Sequence, residues 1–149
     1  MAMAAVFLPP LQPSLACSCV GARGKKALDD AAATFSGKVT KVAYLDANQA
    51  RVEPRIIVTF EVYRSWKGQP AKTMLLHTFY NKWSCEGYGF KEGKEYLVFA
   101  YLNPRLIAEK FAAAKDSLGV NICGATGLLA DAKVQLRDLG PGSVPNSPW

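Results

Sequence analysis

The tripeptide Cys17-Ser18-Cys19 has residue types and a spacing that could carry unusual chemistry. It follows Ser14-Leu15-Ala16, whose small residues at the first and third positions fit the pattern of a signal-peptide cleavage site. Cleavage after Ala16 would leave Cys17 as the first residue, with a free α-amino group. Chain termini are usually frayed, whereas a disulfide at Cys17 would hold this one in place. The sequence therefore predicts a fixed terminal amine.

Residues 1–16 are expected to be a truncated secretion signal. They carry no charged side chain, and prolines interrupt their apolar run at Pro9, Pro10 and Pro13. A complete signal has a positively charged start and a longer apolar core, so we expect the true start to lie upstream. The stretch is too short and too interrupted to span a membrane. The predicted location is extracellular or periplasmic.

Lipidation of Cys17 is the alternative to a free amine. Leu15-Ala16-Cys17 is similar to a bacterial lipobox, although the position three before the cysteine is Ser14 rather than the usual leucine. An acyl group on Cys17 would anchor the protein to a membrane and block the amine. The two readings therefore predict different chemistry at the same nitrogen.

The chain has four cysteines, at positions 17, 19, 85 and 123. An even number behind a leader indicates a disulfide framework in an oxidising compartment. Pairing Cys17 with Cys19 would strain disulfide geometry, so each should reach Cys85 or Cys123, in either arrangement. Structural zinc is the competing reading, but its ligands usually come in pairs two to four residues apart. Cys85 and Cys123 each stand alone, so we expect no bound metal and no cofactor.

The length and composition are those of one globular domain, which we place at residues 17–140. The chain has 149 residues, of which 50% are hydrophobic and 20% are charged. The net charge of +6 is dispersed and is typical of a solvated surface. Residues 141–149 are rich in proline and serine and are expected to form a loose tail. We expect the protein to be a monomer.

Alternating and apolar runs predict a mainly β fold with accessory helices. The clearest strand is 55–66, because Ile56, Val58, Phe60 and Val62 would share one face. Further strands are predicted at 34–44, 72–79, 96–101 and 118–123, with turns at 46–49, 67–70 and 91–94. Helices are predicted at 27–33 (with Asp29 and Asp30 near its start), 108–114 and 128–139, the last ending at Gly140-Pro141. Five strands and a late helix predict a small closed or partly closed barrel.

Several motifs, in order along the chain, resemble the tissue inhibitors of metalloproteinases. They are Cys17-Ser18-Cys19, Phe35-Ser36-Gly37-Lys38-Val39, Cys85-Glu86-Gly87, Gly93-Lys94-Glu95-Tyr96-Leu97-Val98, and Cys123 ahead of a helix that ends in Leu136-Arg137-Asp138-Leu139. The resemblance implies a five-stranded, netrin-like barrel of the oligonucleotide-binding (OB) type with a C-terminal helix. It also implies disulfides joining Cys17 to Cys85 and Cys19 to Cys123.

The same resemblance implies a function, which is inhibition of a zinc metalloendopeptidase. In that family the amine and carbonyl oxygen of the first cysteine, here Cys17, chelate the catalytic zinc of the protease. Catalytic zinc keeps one position open for water, which a preorganised N,O chelator can displace. Ser18 matches the residue that enters the primary specificity pocket. The remaining contact ridge would be formed by Cys19, Val20, Lys82, Trp83 and Ser84.

The chain also departs from that family. A third disulfide and the whole C-terminal domain are missing, and Gly21 stands where many members have proline. The loop at 46–53 is shorter than the long hairpin that some members use to grip their targets. The second hypothesis is therefore a netrin-like extracellular protein-binding module that does not inhibit proteases.

Two further classes of function compete with these. Cys85 with His77 could suggest a thiol protease, but a disulfide-bonded cysteine is no nucleophile and no third partner is identifiable, so we expect no enzyme. Aromatic residues near lysines could stack single-stranded nucleic acid: Trp66, Tyr80, Trp83 and Tyr88, with Lys67, Lys82 and Lys91. Strand aromatics more often pack in a core, so we expect no nucleic-acid partner. The expected partner is a zinc metalloprotease.

Overall fold

The computed structural model describes residues 21–45, 55–68, 71–79, 87–102, 118–120 and 123–146. The helices are α1 (Gly24–Asp30) and α2 (Lys133–Leu139), and a 3₁₀ turn covers Leu129–Asp131. The strands are β1 (Ala33–Leu45), β2 (Arg55–Lys67), β3 (Thr73–Phe79), β4 (Glu95–Leu102), β5 (Leu118–Gly119) and β6 (Gly127–Leu128). The predictions for 46–49, 46–53 and 108–114 lie outside the described residues.

Five of these strands close into a barrel. The sheet runs in the order β1-β2-β3-β5-β4, and β4 pairs back onto β1 to complete the ring. The neighbours are antiparallel except for β3 and β5, which run parallel and meet at His77 and Gly119. The short strand β6 adds to the outside of the ring beside β4. The predicted all-β, five-stranded OB-type barrel with a C-terminal helix is confirmed.

Strand β1 bends so that its first half pairs with both β2 and β4. Its pairing with β2 shifts register at three places, including the step from Ser36 to Gly37, and such bulges sharpen the local bend of a strand. A Cβ atom on Gly37 would lie 2.5 Å from the carbonyl oxygen of Glu61. Glycine at this position therefore allows the two backbones to approach as closely as the bend requires.

The barrel interior is filled by the inward face of each strand. Ile56, Val58, Phe60 and Val62 on β2 are all buried, as the alternation predicts. The Phe60 ring meets Phe35 edge-on with 5.5 Å between centroids and Phe90 with 5.2 Å. Aromatic rings favour this arrangement, which adds about 0.5–1.5 kcal/mol per pair beyond burial.

A second layer of packing covers the outside of β4. Leu97 and Phe99 point away from the barrel interior, are fully buried, and belong to a cluster with Ala27 and Ala31 around α1 and with Ala132 before α2. Strand β4 is therefore buried on both faces, which explains its almost continuous apolar sequence. The turn before it forms as predicted, with Gly93 at φ 79° and the Lys94 N–H donating to the Lys91 carbonyl over 3.2 Å.

Helix α1 begins and ends three residues earlier than predicted. Asp29 and Asp30 consequently lie in its last turn, where acidic residues oppose the helix dipole, so their predicted place near its start is wrong. Ion pairs of 2.9 Å to Lys25 and 2.7 Å to Lys26, four residues earlier, offset part of this cost. Lys67 also donates from Nζ to the carbonyl of Asp29 over 2.6 Å, so a cation from β2 caps the negative end of the helix.

The predicted helix at 128–139 is interrupted. Its first turn is the 3₁₀ turn, and α2 starts only after Ala132, whose burial against β4 fixes the change of direction. The predicted end at Gly140 is confirmed, with a φ of 79°. The Trp66 indole Nε1–H donates to the Gly140 carbonyl over 2.9 Å, so the end of β2 also holds the end of α2.

The first part of the predicted tail is paired with β2. The backbones of Ser65 and Ser143 exchange two hydrogen bonds of 2.8 Å, and Pro145 is buried. The segment expected to be loose is thus attached to the barrel at its start, while residues 147–149 lie outside the described part. Of the predicted strand 118–123, the structure describes residues 118–120 and 123, and among these Leu118 and Gly119 pair with neighbouring strands.

Two buried threonines should respond in opposite ways to replacement by valine. The Thr34 hydroxyl is buried without a hydrogen-bond partner, whereas the Thr126 Oγ1 accepts from the buried Phe99 N–H over 2.9 Å. Thr34→Val should leave the free energy of unfolding unchanged or raise it by about 1 kcal/mol, and Thr126→Val should lower it by about 1–3 kcal/mol. Urea unfolding followed by circular dichroism measures both. Equal losses in the two variants would contradict this description of the core.

Candidate functional site

The structure describes the frame around the predicted site and one of its residues. Cys123 lies in the described part of the chain. The other predicted site residues lie outside it: Cys17, Ser18, Cys19, Val20, Lys82, Trp83, Ser84 and Cys85. The segments that lead directly out of them, from Gly21 and from Gly87, are described and show where the chain enters the barrel.

Cys123 follows β5 and precedes β6, and it is disulfide-bonded. It is half-buried, in a loop of small residues that runs from Cys123 to Ala125. No cysteine in the described ranges carries a free thiol. The bonded state agrees with a disulfide framework, while the pairing of Cys123 with Cys19 stays a prediction.

Gly21 lies directly against the backbone of Cys123. A Cβ atom on Gly21 would be 2.5 Å from the Cys123 carbonyl oxygen, a separation that Cβ atoms essentially never show. Only glycine, which lacks this atom, can place its backbone here. The glycine that departs from the resembling family's proline therefore has a physical reason in this chain. Gly21 comes two residues after Cys19 in the sequence, so the described chain begins in contact with Cys123.

Thr78 joins the segment that follows Cys85 to the segment that precedes Cys123. Its buried hydroxyl donates to the carbonyl of Val120 over 3.1 Å and accepts from the N–H of Tyr88 over 3.0 Å. Val120 lies three residues before Cys123, and Tyr88 lies three residues after Cys85. A single side chain near the end of β3 therefore brings both segments together, which the sequence analysis missed because a threonine in a β run gives no local signal of such a role.

The Tyr88 side chain packs against the aromatic core. Its ring lies 4.5 Å from Phe90 and 6.1 Å from Tyr96, measured between centroids. Burial raises the pKa of the Tyr88 phenol, with the neighbouring Tyr96 adding to the effect. The chain that follows Cys85 is therefore anchored by a packed aromatic ring.

Among the residues grouped for the other functional classes, Trp66, Lys67 and His77 lie in the described part of the chain and have structural roles there. Trp66 and Lys67, named for nucleic-acid stacking, hold the ends of α2 and α1. His77, named for thiol-protease chemistry, is buried on β3 opposite Ile57 and Gly119. Trp66 and Lys67 thus donate hydrogen bonds within the fold, and His77 is buried.

A groove of about 900 Å³ opens beside the contact between Gly21 and Cys123. One wall is formed by residues 21–24, the base by residues 123–126, and the other wall by the exposed face of α2. Charged side chains stand on both walls, with Arg23 on the N-terminal side and Asp131 and Asp138 on the helical side. The groove joins segments distant in sequence, so no local pattern predicts it.

Over the ranges that the structure covers, no group of three or more His, Cys, Asp and Glu side chains is placed to hold a metal ion. The helices in those ranges are also too short and too polar to cross a membrane.

No protein-family model matches this chain, and no curated protein matches it in sequence. The resemblance to the metalloproteinase inhibitors therefore rests on the motifs quoted from the sequence and stays a prediction.

The close contact at Gly21 predicts a selective effect of adding one methyl group. Gly21→Ala should lower the free energy of unfolding by about 1–3 kcal/mol, because the Cβ would force the Cys123 backbone to move. Gly127→Ala is the matched control, since a Cβ there meets no atom within 4 Å. Denaturant unfolding of both oxidised proteins measures the difference. Equal stability of the two variants would show that residues 21 and 123 are not in close contact.

Proposed function

We propose that this protein is a secreted inhibitor of zinc metalloendopeptidases, acting through the amine and carbonyl oxygen of Cys17 after cleavage at Ala16. The observation that supports the proposal is the contact of Gly21 with the disulfide-bonded Cys123 at one end of an OB-type barrel. This contact fixes the start of the described chain four residues after Cys17. A disulfide from Cys17 to Cys85, as the resemblance implies, would leave the amine little conformational freedom to lose on binding.

Chain geometry is compatible with the disulfides that the resemblance implies. Two residues span at most about 7 Å, so the Cα of Cys19 lies within that distance of Gly21. A disulfide needs Cα atoms about 4.4–6.8 Å apart, which the approach of Gly21 to Cys123 allows for a Cys19–Cys123 bond. The Thr78 hydrogen bonds hold the segment after Cys85 beside the segment before Cys123. A bond from Cys17 to Cys85 would then fix the terminus from its other side.

The proposed chemistry is displacement of the water on the zinc of the target. The neutral Cys17 amine donates its lone pair to that zinc, the carbonyl oxygen of the same residue takes a second position, and the water leaves. An α-amino group has a pKa of about 8, so losing its proton beside a metal ion costs little. The disulfide reduces the conformational entropy lost on binding. The inhibitor needs no metal, cofactor or catalytic group of its own.

The surrounding contacts would set which proteases are inhibited. In this proposal the Ser18 side chain enters the primary specificity pocket of the protease. Cys19 and Val20 continue along the cleft, and Lys82, Trp83 and Ser84 form the second part of the ridge. The inhibitor would act as a monomer, with one protease bound at one end of the barrel.

Extending the terminus by one alanine tests the proposal directly. The added residue would place an amide where the amine coordinates zinc, so the inhibition constant should rise by about 100-fold or more, equivalent to about 3 kcal/mol. The probes are catalytic domains of a matrix metalloproteinase and of a thermolysin-type enzyme, assayed with fluorogenic peptides. The unfolding midpoint should not change, because the extension lies outside the barrel.

Three outcomes would contradict the chelation mechanism. The first is equal inhibition by the extended protein. The second is a mass spectrum of the natural mature protein that shows a residue before Cys17 or an acyl group on it. The third is the absence of inhibition by the free form across the panel, which would favour the alternative of a netrin-like binding module.

A further inference from the structure

The wall of the groove formed by α2 carries a mixed pattern of charge and apolar surface. The residues on this wall are Asp131 of the 3₁₀ turn and Val134, Gln135 and Asp138 of α2. Val134 and Asp138 are four residues apart, which places them on one face of α2. The Val134 side chain is 62% exposed and contributes little to the core. An exposed valine between two carboxylates gives this wall an apolar centre with acidic ends.

The acidic ends contrast with the positive net charge of the whole chain, which is +6. The Asp138 carboxylate has an ion-pair contact with Arg137, but at 3.9 Å that contact is at the limit of an ion pair, and the Asp138 side chain is 54% exposed. It therefore keeps the capacity to accept hydrogen bonds from another cation. On the opposite wall Arg23 provides a positive boundary, so the groove is polarised across its width.

The groove is also continuous with the proposed protease interface. Its first wall begins at Gly21, the residue directly after Val20 in the proposed contact ridge. A protease bound to Cys17 through its zinc would therefore lie beside the mouth of the groove.

We propose that this groove is a second contact for the target protease, and that it receives an extended segment with Lys or Arg side chains flanking an apolar residue. The inference rests on the proposed function. The basic side chains meet Asp131 and Asp138, and the apolar residue covers Val134. This contact does not involve zinc, so it would select among proteases that share the same catalytic centre.

The first experiment measures inhibition constants for the mature protein and paired variants. Asp131→Asn combined with Asp138→Asn should weaken inhibition of a sensitive protease about 5- to 20-fold, a range typical of a few charged contacts. Val134→Ser should weaken it about 3- to 10-fold, the range for losing a small apolar contact. The matched controls are Glu61→Gln, an exposed carboxylate on β2, and Val144→Ser, a valine that is 57% exposed. Both controls should stay within about twofold of the parent protein.

A second experiment examines the groove without a protease. Amide chemical shifts of the isotopically labelled protein are followed while the peptide acetyl-Leu-Lys-Leu-Lys-Leu-amide is added, with the glutamate analogue as the control. The lysine peptide should shift the signals of Thr126, Val134 and Gln135, and the double asparagine variant should lose these shifts. Equal shifts from both peptides, or shifts that survive in the variant, would overturn the acidic groove as a recognition site.

The two experiments separate failure of the groove from failure of the proposed function. If the double variant inhibits as well as the parent protein, the groove is not a protease contact, while chelation through Cys17 stands. If the mature protein inhibits no protease, the protease is not the occupant and the proposed function fails with it. The proposal holds only if inhibition and peptide binding both weaken in the groove variants and not in the controls.

Discussion

The backbone contact between Gly21 and Cys123 is the constraint on which the proposed site depends. It brings the beginning of the described chain against the loop between β5 and β6, and it requires a residue without a Cβ. Because Cys123 is also disulfide-bonded, this loop is held covalently as well as by packing. Any chemistry at the residues before Gly21 therefore starts from a fixed point on the barrel.

Hydrogen bonds from β3 and from β2 hold the segments around this contact. Thr78 on β3 joins the segment before β4, at Tyr88, to the segment after β5, at Val120, through two hydrogen bonds. At the far end of β2, Lys67 caps α1 and Trp66 holds the residue that ends α2. Both helices are thus connected to the same strand. This arrangement is suited to an inhibitor, since a rigid binding surface loses little entropy on association.

Much of the barrel could be predicted from local patterns. Strand β2 buries mainly one face, so its apolar residues alternate with others, whereas β4 buries both faces, so its apolar residues form a continuous run. Both patterns identify a strand from the sequence. The predicted start of α1 is wrong because acidic residues usually indicate the first turn of a helix. In this chain Asp29 and Asp30 lie in the last turn, where ion pairs with earlier lysines and capping by Lys67 make them tolerable. The attachment of Ser143 to Ser65 uses backbone groups alone, and no side-chain pattern reports such a contact.

Part of the candidate site could also be predicted from the sequence, and part could not. The spacing of Cys17 and Cys19 and the preceding small residues are local features, so the sequence shows them directly. The role of Thr78, the need for glycine at position 21 and the groove beside α2 arise from segments far apart in the chain. Such contacts have no local signal and depend on the three-dimensional arrangement.

The central claim is that the Cys17 amine binds the zinc of a protease, and a spectroscopic measurement tests it most directly. Replacing the zinc of a susceptible metalloprotease with cobalt(II) gives visible absorption bands that report the ligands of the metal. Adding the mature protein should change these bands in proportion to the inhibited fraction, because nitrogen and oxygen ligands replace water. Inhibition that leaves the cobalt spectrum unchanged would contradict the account.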